Sequence, residues 1–238
     1  MILIVGIDMV VEKLKIMFKL QQSLNDETNG KNWELGVTKN GKKINWQRAI
    51  FMESAELIDS YPWKHWKSID AKVDRENIKM ESVDIWHFVM SEALRLNYLQ
   101  NRKIGNLVDE VADSSAFRDY LSNKRDSFET IYDEIAVVEK FLALTLCKSD
   151  ILALVDGFFE VAKVANLTFD ELYLLYIGKN ILNRFRQQNG YKEGKYIKIW
   201  EAREDNEVLQ NILKSNPDIT PEHLYLELES EYRKLKVD

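Results

Sequence analysis

Cysteine, proline and glycine are all scarce: 238 residues hold one Cys, three Pro and nine Gly. With Cys147 alone, no disulfide can close within the chain, so a reducing compartment fits and the cytoplasm is the expected location. So few glycines and prolines leave too little turn chemistry for a many-stranded sandwich or barrel. GxxxxGK[ST] is missing, as are the kinase and Rossmann Gly-rich loops, so a bound phosphate would not be held by a P-loop. No run of about 18 apolar residues occurs, which excludes a spanning helix. The apolar start, MILIVGIDMVV, carries Asp8 and no basic leader, and is not read as a signal peptide. Basic charge is not in excess either. Lys+Arg at 33 against Asp+Glu at 39 gives a net charge of −6, which argues against a nucleic-acid-coating or anionic-membrane protein.

What is present points to helices. Hydrophobic residues at 45% and aromatics at 11% exclude a disordered chain, and the bulk is Leu, Ile, Glu and Lys. Val10, Leu14, Met17, Phe18 and Leu24 repeat at helical spacing. Residues about 47–60 and 76–99 read as two more apolar-rich helices, and further stretches follow from Ile104, from Phe128 and from Leu152. Thr168 with Glu171 forms a capping box for a helix through about Arg186, and Thr220-Pro221 opens a last one. Asn29-Gly30 and Asn40-Gly41 break the pattern within 26–46, where a small hairpin near 35–46 is expected. Residues 187–206 read as a loop. The expected architecture is one all-α domain over 1–238, with a core lobe of about 1–100 and 166–238 and a second lobe at about 101–165.

Four carboxylates form the most informative pattern. Glu53 and Glu56 lie three apart in MESAEL, and Glu81 and Asp84 three apart in MESVDIWHF. On a helix each pair shares a face. The 24 residues between Glu56 and Glu81 suffice to reverse the chain and bring the pairs together. Oxygen-only ligands that repel one another suit Mg²⁺ or Mn²⁺. A solvated helix face is the bland alternative. Asp84-x-x-His87 imitates a di-iron ligand pair, but His65 and His223 supply no second one.

A basic, aromatic segment lies opposite in charge. Residues 179–203 carry Lys179, Arg184, Arg186, Lys192, Lys195, Lys198 and Arg203 against Glu193 and Glu201, with Tyr191, Tyr196 and Trp200 interleaved. This is either a solvated loop or a clamp for a polyphosphate. Trp63-Lys64-His65-Trp66-Lys67 is a shorter patch of the same kind. On the first helix, Leu14, Phe18, Gln21 and Asn25 form one stripe, so two amides sit on an apolar face. They are either core amides or readers of a base edge such as that of uracil.

Several blocks recur in one order: Leu20-Gln21 with Leu24-Asn25, Met52 to Asp59, Trp63 to Lys67, and Glu81 to Phe88. Gly178 to Asn183, Phe185-Arg186-Gln187, Gly190-Tyr191-Lys192 and Glu204-Asp205-Asn206 follow. Together they resemble the dimeric, all-α dUTPases, relatives of the MazG-like nucleotide pyrophosphatases. The resemblance implies a helical bundle of the all-α NTP pyrophosphatase type, acting as a homodimer. It implies Mg²⁺-dependent hydrolysis of dUTP to dUMP and pyrophosphate, with Mn²⁺ as an alternative ion. Glu53, Glu56, Glu81 and Asp84 would hold the metal. Glu53 and Glu56 would be the catalytic carboxylates, with Glu56 activating the attacking water. Gln21 and Asn25 would border the uracil, with Trp66, His87 and Asn183 nearby. Lys179, Arg186, Tyr191, Lys192, Lys198 and Asn206 would line the distal phosphates, and His65 and Lys67 are weaker candidates. A sibling pyrophosphatase acting on dCTP or another nucleotide, and a non-catalytic helical module on the same fold, are the competing readings. Neither nucleic acid nor a membrane is expected as a partner.

Overall fold

Local signals decide where the helices start. In the computed structural model, which describes residues 2–67, 70–122, 128–147 and 150–235, helix α1 spans Ile2–Asn29, α2 Trp46–Asp59 and α3 Arg75–Leu99. Asn45 caps α2 by accepting from the Arg48 amide at 2.8 Å, and Asp74 caps α3 by accepting from the Asn77 amide at 3.0 Å. Four further helices follow, α4 Ile104–Asp113, α5 Ser115–Leu121, α6 Ile131–Leu146 and α7 Ile151–Val164. Helix α8, Phe169–Gln188, opens on the expected capping box: Glu171 accepts from the Thr168 amide at 2.9 Å, and Thr168 Oγ1 from the Glu171 amide at 3.3 Å. Strands β1 (Ile199–Trp200) and β2 (Arg203–Glu204) precede α9 Asp205–Ser215 and α10 Pro221–Lys234. Among the described residues the fold is all-α, with this one two-stranded hairpin.

The break expected across 26–46 starts later than the sequence indicated. Helix α1 continues through Asn29 and stops at Gly30, which adopts φ +89°. A Cβ at Gly30 would come within 2.7 Å of Lys39 Cβ, so the close return of the chain requires glycine there. The hairpin near 35–46 is reduced to a single antiparallel bridge, Val37 to Lys43, turned at Gly41.

The chain divides into two units, residues 1–172 and 173–238, and the division falls within α8. In the first unit α3 is central. Its fully buried Trp86 stacks on Phe158 of α7 at 4.6 Å and meets Phe18 of α1 edge-on at 5.9 Å. Helix α2 packs along α3. Gly157 lets α6 approach α7, because a Cβ there would lie 2.8 Å from Leu144. The second unit has an aromatic core: Phe185 packs edge-on against Tyr225 and Tyr232, and Tyr196 stacks on Tyr232 at 5.2 Å. Trp200 is buried beside them.

Candidate active site

Helices α2 and α3 build the acidic site. Glu53, Glu81 and Asp84, each half-buried, offer carboxylate oxygens that all lie within 4.8 Å of one another. The i,i+3 spacing puts Glu81 and Asp84 on one face of α3, while Val83 and Trp86, towards its opposite face, are fully buried and fix its rotation. Glu56 stands apart from this trio and is exposed. It lines a cavity of about 520 Å³ together with Glu81, and Lys64, Lys67 and Lys72 line the same cavity. Asp59, one turn beyond Glu56, accepts from Trp63 Nε1 at 3.0 Å and pairs with Lys64 at 2.6 Å. Those two donors hold its carboxyl below the ordinary aspartate value. His65 and the largely exposed Trp66 do not line the cavity: they meet each other edge-on at 4.9 Å, and Trp66 meets Trp63 edge-on at 5.5 Å.

The far wall of the cavity is braced from α6. Glu134 receives both arms of the Arg75 guanidinium, one at 2.9 Å, and the Arg75 guanidinium lies over the Tyr61 ring at 5.8 Å. Asn77 donates to Ser60 Oγ at 2.9 Å, and Ser60, Tyr61 and Asn77 all line the cavity. Nothing local in the sequence marks Glu134 or Arg75 for this duty.

The amide stripe of α1 is buried against α3. Gln21 Nε2 donates to Asn25 Oδ1 at 3.2 Å and to Ser91 Oγ at 3.0 Å, and Asn25 Nδ2 donates to the same hydroxyl at 3.0 Å. Gln21 Oε1 lies 2.7 Å from His87 Nδ1. Gln21, Asn25 and His87 are thus brought together, with Ser91, which the sequence pattern did not single out, between them.

The second unit holds the basic segment, and its cations are tied to a buried acid. Arg186 reaches Asp205 through Nε and Nη2, both at 2.8 Å, and its remaining donors reach Asn183 at 3.1 Å and Asn206 at 3.2 Å. Tyr196 donates to Asp205 at 2.7 Å, and Lys179, itself buried, donates to Asn206 at 2.7 Å. Asp205 is fully buried. Burial alone would raise its carboxyl, but the Arg186 fork and charge, the Tyr196 hydroxyl and the Lys179 charge bring it below the ordinary value. Lys179, Asn183, Arg186 and Asn206 therefore form one network. Lys198 pairs separately with Glu204 at 3.1 Å, both half-exposed. Lys192 is exposed, and Tyr191, also exposed, lies beneath the Arg186 guanidinium at 6.0 Å.

The segment expected to be a loop carries the β1–β2 hairpin. Its two-residue turn is Glu201-Ala202, with φ of 47° and 68°. That turn usually selects Asn-Gly, so the hairpin gave no sequence signal. Asp205, which opens α9, gave none as an ion-pair partner, because Arg186 lies 19 residues earlier.

In comparison with known protein families, a family model described as dUTPase matches residues 13–191, three quarters of the chain. No curated protein matches the sequence.

Proposed function

The chain belongs to the dUTPase family and is a hydrolase, a dUTP diphosphatase; from that premise we propose that it cleaves dUTP to dUMP and pyrophosphate by attack of water at the α-phosphorus, with Mg²⁺, or Mn²⁺ in its place, at the carboxylates of α2 and α3. What supports this reading is the convergence of Glu53, Glu81 and Asp84 within 4.8 Å. The donor set fits the ion: all the ligand atoms are carboxylate oxygens, which suit hard divalent cations rather than zinc. Bound there, the ion supplies positive charge to phosphate oxygens.

The chain's own residues supply the rest. Glu56, exposed on the cavity wall, takes a proton from the attacking water on a carboxylate oxygen as the new P–O bond forms and pyrophosphate leaves. Lys64, Lys67 and Lys72 bring positive charge to the same cavity. We assign Gln21, Asn25 and His87 to the base, with Trp66 and Asn183 nearby. Lys179, Arg186, Tyr191, Lys192, Lys198 and Asn206 go to the distal phosphates. A catalytic domain spanning 1–238, with a core lobe of about 1–100 and 166–238 and a second lobe at about 101–165, a homodimeric assembly and a cytoplasmic location complete the proposal. No helix among the described residues is long and apolar enough to cross a membrane.

The test is pyrophosphate release from dUTP, dCTP, dTTP and UTP, each with and without Mg²⁺. Mg²⁺-dependent release confined to dUTP is expected. Release from dCTP instead would keep the acidic site and overturn the base assignment. No release from any nucleotide would overturn the catalytic reading in favour of a binding module.

A further inference from the structure

The hydroxyl of Ser91 is the hub of the buried network between α1 and α3, and it decides which way every other group there faces. Ser91 Oγ lies 2.8 Å from the His87 carbonyl oxygen one turn back and 3.4 Å from Asn25 Oδ1, so its single proton takes the much shorter bond, to the carbonyl. Only lone pairs then remain for the two amides that approach it at 3.0 Å, and both Gln21 and Asn25 must turn an NH₂ group towards it. With its nitrogen committed, Gln21 presents its carbonyl oxygen to His87 Nδ1 at 2.7 Å. Two acceptors cannot face each other at that distance. Nδ1 therefore carries the hydrogen, and the neutral ring keeps its lone pair on Nε2. Ser91 is fully buried and the other three side chains are 3% exposed, so bulk water does not compete for these bonds.

We propose that Ser91 is a positioning residue for base selection. By orienting Gln21 it holds His87 in the Nδ1–H tautomer, which makes Nε2 an acceptor. An acceptor there matches the N3–H of uracil and repels the N3 lone pair of cytosine. The effect on selection rests on the assignment of Gln21, Asn25 and His87 to the base; the tautomer follows from the hydrogen bonds alone.

The experiment combines ¹⁵N spectroscopy of the imidazoles with kinetics on dUTP and dCTP. The chain has only three histidines, His65, His87 and His223, so single His→Gln variants assign the signals. At about pH 8, where an ordinary imidazole is neutral, His87 should show a protonated Nδ1 and an unprotonated Nε2. Ser91→Ala removes the shared acceptor and lets Gln21 turn over. His87 should then shift towards the Nε2–H tautomer, and the dUTP:dCTP ratio of kcat/KM should fall about tenfold, mainly through KM. Ser91→Cys, close to serine in volume but a weak acceptor, should give the same result and serves where the alanine variant does not fold. An unchanged His87 tautomer in either folded variant overturns the proposal. A shifted tautomer with an unchanged dUTP:dCTP ratio overturns the role in base selection, and with it the base assignment. Loss of all turnover in the unsubstituted protein would instead strike the catalytic reading and leave the spectroscopic result standing.

Discussion

The acidic faces of α2 and α3 and the basic segment of the second unit both concentrate charge, but in opposite ways. Glu53, Glu81 and Asp84 gather like charges within 4.8 Å. The basic segment mixes signs: the Arg186 fork closes on the buried Asp205, and Lys198 pairs with Glu204. The first arrangement is the one proposed to take a divalent cation. The second carries its own anion, so a phosphate reaching Arg186 must compete with Asp205. Asp205, fully buried in its pair with Arg186, serves the fold itself.

The strongest way to break this contrast is Glu53→Gln. Loss of a carboxylate proposed to hold the metal should lower kcat by more than about a hundredfold, beyond the range typical of residues that merely support a ligand. The melting temperature in metal-free buffer should not fall, since the substitution removes one of several mutually repelling charges. Normal turnover by the variant would remove Glu53 from the site.

The opposite substitution is Asp205→Asn. It leaves the Arg186 guanidinium, 12% exposed, with no carboxylate on its fork. Breaking a buried pair from one side costs about 3 kcal/mol, so denaturant unfolding should reveal a less stable protein before any kinetic effect is considered. Equal stability would show that the two regions do not differ as argued.

Acid titration sharpens the same point. Asp205 has its carboxyl lowered in the folded state, and the group therefore binds a proton more readily when unfolded. Its contribution to stability is present above the unfolded value of about 3.9 and is lost as pH falls through the lower folded value. Circular dichroism of the wild type should show this acid limb, and Asp205→Asn should flatten it.

How much of this was legible in the sequence follows from how local each signal is. The i,i+3 pairs on α2 and α3, the Thr168–Glu171 box and the Thr220 cap are written within one helical turn, and they appear in the structure. The convergence of Glu53 with Glu81 and Asp84 needed only a chain reversal in addition. Asp205 was readable as the acid at a helix start, but its burial and its pairing with Arg186 depend on packing within the second unit. Ser91 looks like any serine inside a helix until Gln21 and Asn25 of α1 close on it. Glu56 shows the reverse limit: its spacing from Glu53 puts it on the same helix face, yet side-chain placement leaves it on the cavity wall and outside the trio.

The smallest expected effect separates two kinds of cation within the basic segment. Lys198 and its partner Glu204 are each about half exposed, at 49% and 45%. Water screens such a pair, and it contributes no more than about 0.5 kcal/mol, so Lys198→Met should leave the unfolding curve almost unchanged. An exposed pair is also readily exchanged: a phosphate can take Glu204's place at Lys198 without stranding a buried charge. The variant should therefore raise KM for dUTP about threefold with kcat nearly unaltered, an effect that shrinks as salt rises. Arg186 can offer a phosphate only its Nη1 side while Asp205 holds Nε and Nη2. A Lys198→Met protein with unchanged KM at low salt would leave Lys192 and Lys195, both exposed, as the cations to examine for phosphate binding. A protein that instead lost stability would place Lys198 with Arg186, among the residues that hold the second unit together.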